Sequence, residues 1–266
     1  MPIPLITDLD DIQATELYQQ QLKNFYAVIA DNQYKQLTLL IDLNVHGAEV
    51  LSVLDFGSTL TVERLKRIHH TFDDDLVVID IPMTSIKGQR LLEQLLALAI
   101  YENVNDIAGH SQGRSICLWL LNTLITPKLK NDLYLLSQAI DYKTKKRRYL
   151  RYWDPRVLSL LAYIWTEQQI LFINQLGFKE IYYLDWNNEL AALKFANVNE
   201  VLTPEQAVEF NKSIKQPPFR FSFEQWSVLL QVKWVNMIIR QLKEQVRIDD
   251  RVYQLILEQA KAIATR

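Results

Sequence analysis

The chain has 266 residues, 49% of them apolar and 23% charged, and a net charge of −2, which is an ordinary globular composition for one large domain or two modest ones. One cysteine excludes an internal disulfide framework and a cysteine-clustered zinc site, and the six glycines spell neither G-x-G-x-x-G nor G-x-x-x-x-G-K-[ST]. No apolar run approaches the ~20 residues that span a bilayer, and MPIPLITDLDD lacks the basic start of a signal peptide, so a cytoplasmic protein with no membrane partner is expected.

In chain order, residues 12–23 have the apolar spacing of an amphipathic helix, and FYAVIA (25–30) that of a short buried strand. A helix is predicted near 33–43 and a strand at VLSVLDF (50–56). A helix over 61–70 precedes the clearest strand, LVVIDI (76–81), which Pro82 ends. Residues 89–101 form an apolar helix, RSICLWLL (114–121) reads as a strand, and Cys117 within it is a buried, inert thiol. Thr126-Pro127 starts a helix with an N-cap and a proline at the first helical position. RRYLRYW (147–153) is a strand with aromatics alternating between its faces. Asp154-Pro155 opens a helix reaching about 176, and EIYYLDW (180–186) is the last predicted strand.

Beyond residue 190 the signals are helical. Thr203 with Gln206, and Ser222 with Gln225, are capping boxes; Phe221 and Trp226 are placed as a hydrophobic staple for the second. Pro217-Pro218 separates these helices, and a last helix spans about 249–264. The expected fold is α+β (mixed α/β): a lobe over 1–190 with a helix-flanked sheet, and an all-helical lobe over 191–266.

GHSQG (109–113) fits the nucleophile elbow of α/β-hydrolases, with Ser111 as the nucleophile. The triad order on that fold is Ser, acid, His, yet His46, His69, His70 and His110 all precede Ser111. A serine with no imidazole to take its proton is a poor nucleophile, so the motif reads as a polar turn and no catalytic residue is expected. HHTFDDD (69–75) gathers two histidines and three carboxylates, but reads better as a helix end followed by a solvated acidic turn. Asp8, Asp10 and Asp11 lack the glycine and glutamate of a calcium loop. Neither metal nor cofactor is expected.

Charge is unevenly spread. Residues 1–142 carry 10 basic and 18 acidic side chains, residues 143–156 carry 7 and 1, and residues 157–266 balance at 12 and 12. On an extended strand Arg147, Tyr149, Arg151 and Trp153 would share one face. Arg156, in the first turn of the helix that Asp154 caps, sits where a cation is disfavoured, which implies a nearby carboxylate.

RRYLRYWDPRVL (147–158) resembles the R-[FY]-[YW]-D-P-R-V hallmark of the type VI secretion adaptor chaperones, the DUF 4123 domain, and the similarity extends loosely over residues 24–158. The resemblance implies a bacterial, cytoplasmic, non-enzymatic protein that binds a toxic effector and helps to load it onto the VgrG spike. Asp154 and Pro155 would be the structural centre of that motif. Arg151, Trp153 and Arg156 are the expected partner contacts there. Phe219 and Trp234, in an aromatic-rich stretch, are a second candidate patch, with Phe223 packed inward. The main alternative is a nucleic-acid binder using the basic, aromatic segment 143–156; a serine esterase using GHSQG is the third.

Overall fold

A computed structural model describes residues 6–31, 35–43, 61–64, 76–107, 114–121, 127–141, 143–176, 178, 180–195, 203, 205, 219–243 and 245–264. Two compact units divide the chain: Met1–Ile125 with Tyr182–Ala192, and Thr126–Ile181 with Leu193–Arg266. Helices and strands mix in both, and the fold is α+β.

Helices α1 (Ile6–Gln13), α2 (Glu16–Asp31) and α3 (Ile86–Ile107) belong to the first unit, with strands β1 (Gln36–Asp42), β2 (Thr61–Arg64), β3 (Leu76–Pro82) and β4 (Ile116–Leu121). The sheet runs β2-β3-β1-β4 and continues with β7 (Glu180–Leu184) and β8 (Leu190–Lys194). β1 is antiparallel to β3 and β4, and β2 to β3. Leu37, Leu39 and Ile41 of β1 share one core with Val77 and Ile79 of β3 and with the buried faces of the three helices. On the other face of β1, Thr38 donates to Asp80 of β3 at 2.6 Å, so a polar pair is buried with its hydrogen bond made. α3 begins where the Ser85 hydroxyl accepts from the Gly88 N–H. Gly88 is needed there, because a Cβ would lie 2.0 Å from the Pro82 carbonyl oxygen.

Three predicted elements change type. FYAVIA belongs to α2: Tyr18, Gln21, Phe25 and Ile29 form its buried stripe at helical spacing, and extending a started helix is easier than beginning a strand. Phe25 meets Trp119 of β4 edge-on, with ring centroids 5.2 Å apart. The helix predicted near 33–43 is β1 instead. Nearly all of β1 is buried, between β3 and β4, and a fully buried strand has no alternation to reveal its period. Residues 61–64 are β2 rather than the start of a helix. The predicted strand 50–56 lies outside the described residues. LVVIDI, the apolar helix and RSICLWLL are found as expected, with Cys117 buried in β4.

The second unit contains α4 (Pro127–Leu136), β5 (Gln138–Ile140), β6 (Arg147–Tyr149), α5 (Pro155–Ile164), α6 (Glu167–Gln175), β9 (Phe219–Arg220), α7 (Phe223–Leu230), α8 (Val232–Lys243) and α9 (Asp250–Ala264). A small sheet runs β6-β5-β9, antiparallel for β5 and β6 and parallel for β5 and β9. α9 packs against α7 and α8, and both of those touch α5. Strands therefore persist past residue 190, as β8 and β9, and the described elements that follow β9 are helices.

The helix predicted from 155 to about 176 is two helices. Trp165 leaves helical geometry, and Thr166 opens α6 with a capping box of its own, closed by Gln169. Ser222 and Gln225 form the box expected at the start of α7, and Phe221 staples to Trp226 with centroids 5.6 Å apart. The two box glutamines also bond each other: Gln225 Nε2 donates to Gln169 Oε1 at 2.8 Å and to the Ile164 carbonyl. Each glutamine oxygen in turn accepts from its own N-cap N–H. Gln169→Ala or Gln225→Ala leaves a buried amide without its partner, and each should cost about 1–3 kcal/mol. The double variant should lose less than the two single losses together, with a coupling of roughly 0.5–3 kcal/mol in urea denaturation. Strictly additive losses would show that the side chains act independently.

Burial pushes the Tyr26 phenol up to about 12, and the Glu93 carboxylate that accepts its hydrogen bond adds to the rise. Tyr18 is raised by the same two causes. The folded chain thus keeps protons that the unfolded chain gives up near pH 10. That contribution to stability is whole below about pH 10 and is lost as the pH climbs towards about 12. Replacing both tyrosines by phenylalanine should flatten the alkaline fall of the denaturant midpoint across that window. An unchanged slope would assign the fall to other groups.

Candidate interaction surface

The segment singled out by its charge and motif folds as a hairpin and a capped helix. β5 and β6 are joined by a turn in which the Asp141 carboxylate accepts from the N–H groups of Lys143 and Thr144 and from Arg148 Nε. These three donors hold the Asp141 carboxyl below the usual carboxylate range, the Thr144 N–H contributing most. Lys145 adopts a left-handed φ of 55° to close the turn. Lys143, Lys145, Lys146, Arg147, Arg148 and Arg151 are all exposed.

β6 stops at Tyr149, four residues short of the predicted strand. Leu150 donates its N–H to the Ser137 carbonyl at 2.8 Å, and the chain then turns so that Asp154 N–H meets the Arg151 carbonyl. The turn carries Tyr152 and Trp153 into the interior. Trp153 is 1% exposed, flanked edge-on by Tyr149 and Tyr152 with centroids 5.3 Å away in each case. Trp153 is therefore a core residue and not the partner contact expected of it; the alternation that put it beside Arg151 ends at Tyr149.

Asp154 caps α5 with Pro155 in the first turn, as the sequence predicts. One carboxylate oxygen accepts from the Arg156 N–H at 3.0 Å and from Arg156 Nε at 2.9 Å, and the other accepts from the second guanidinium nitrogen at 2.7 Å. The carboxylate implied by the position of Arg156 is thus Asp154 itself. The Arg156 side chain is only 13% exposed, and the fork–fork pair commits it to the cap. Arg156 stabilises the motif from within; it is not an exposed partner contact.

Trp234 is 45% exposed on α8, with Met237 one turn on and Leu230, 72% exposed, at the end of α7. Trp226 does not share its helix: it lies on α7, half-buried, and its indole N–H donates to the Ile140 carbonyl at 2.7 Å. Phe223, expected to pack inward, is 56% exposed. The staple is formed by Phe221, which leaves Phe223 on the outer side of the first turn. Phe219 lies in β9, paired with Ala139.

Sequence reasoning missed a buried polar group in the first unit. The Glu102 carboxylate, at the end of α3, accepts from the N–H groups of Ser115 and Ile116 at 2.8 and 3.1 Å and from the Ser115 hydroxyl. The Arg114 guanidinium lies over the Trp186 ring at 4.7 Å and donates to the Leu184 carbonyl. Burial raises the Asp185 carboxyl, against the pull of N–H bonds from Glu189 and Asn187. These contacts fix the start of β4 and the turn from β7 to β8, where Asn188 is left-handed at φ 60°.

GHSQG, HHTFDDD and all four histidines lie outside the described residues, as does Gln206 of the Thr203 box. Among the described residues no group of three or more His, Cys, Asp or Glu side chains could hold a metal ion, and no helix is long and apolar enough to cross a membrane. Comparison with protein-family models, with curated proteins and with solved structures finds no match. The likeness of residues 147–158 to the adaptor hallmark stands on those residues alone.

Asp154→Ala should remove a cap worth about 0.5–2 kcal/mol and also strand Arg156. Asp154→Asn retains an acceptor for the Arg156 N–H and loses the charge. Melting temperatures should fall in the order wild type, Asn, Ala. Equal losses in the two variants would place the whole effect in the ion pair.

Proposed function

We propose that this protein is a non-enzymatic adaptor chaperone of the type VI secretion class, which binds an effector in the cytoplasm and helps to load it onto the VgrG spike. The observation that carries the reading is the behaviour of the hallmark itself. In DPRV the aspartate caps a helix, the proline fills its first turn and the arginine closes back on the aspartate. A motif built this way specifies a shape and does not by itself supply chemistry. Around it the second unit exposes basic and aromatic side chains, among them Arg151 and Trp234. Such a protein acts through affinity, with binding energy concentrated in a few anchors.

The test is purification of the tagged full-length chain from the cells that make it, with identification of whatever accompanies it. One effector and the spike protein should be recovered, with no dependence on added nucleotide. Recovery of nucleic acid in their place would sink the reading.

A further inference from the structure

We draw no further inference here: the strongest candidate, the exposed apolar surface patch made by Leu230 at the end of α7 with Trp234 and Met237 on α8, carries none because nothing in the structure shows what covers it.

Discussion

Two glutamines, Gln169 and Gln225, hold the second unit to one arrangement. Each completes the capping box of its own helix, and each then bonds the other across the junction of α6 and α7. Both are buried, so an amide that missed its partner would keep the full cost of its lost water. The penalty fixes where α7 starts relative to the break between α5 and α6, because Gln225 also takes the Ile164 carbonyl at that break. A core of leucines alone would tolerate small slips of one helix past another; a network of paired amides does not. The pair joins chain segments on opposite sides of residue 190, as do the β5–β9 pairing and the contacts of α7 and α8 with α5, and residues 126–181 and 193–266 form one compact unit.

Segment 147–158 divides its side chains by chemistry. Up to Tyr149 the chain is a strand whose arginines project outward; from Tyr152 to Asp154 it is a turn whose rings and carboxylate project inward. The change of direction comes from local bonds: Leu150 to Ser137, Asp154 to Arg151, and the Asp154 carboxylate to the first turn of α5. Arg156 follows the inward group because its guanidinium meets Asp154 in a bidentate geometry that a lysine could not reproduce. Basic residues of one short segment thus acquire two roles, decided by which side of the turn they fall on.

Much of this was legible in the sequence wherever a single local signal was decisive. Asp154-Pro155 and Ser222 with Gln225 are caps by side-chain chemistry alone, and Phe221 with Trp226 is a staple by spacing. Exposure of the basic hairpin followed from its charge. The misreadings share one cause, the lack of a local signal to set the period. QLTLLID is buried on both sides and reads equally well as strand or helix. Thr166 and Gln169 spell a capping box as clearly as Ser222 and Gln225, but the apolar pattern of α5 runs on into α6 and conceals the break. The direction of Trp153 depended on where β6 ends, and a bond from outside the segment, from Leu150 to Ser137, marks that point. Glu102 was silent for a related reason: its donors come from residues 115 and 116, beyond the helix that carries it.

The exposed side chains of the second unit fall into two chemical classes with different physical consequences. Charged groups such as those of the β5–β6 hairpin act at a distance, orient an approaching partner and lose their effect as salt rises. Exposed apolar groups such as Leu230 and Trp234 act only at contact, where burial of their surface slows departure. On the adaptor reading proposed above, cargo would have to be accepted and later released, so encounter and residence would need separate control. A single large apolar face would couple the two, since any gain in holding would hinder transfer. On that reading, dividing the two between the basic hairpin and exposed apolar side chains such as Trp234 would let one contact be displaced while the other still holds.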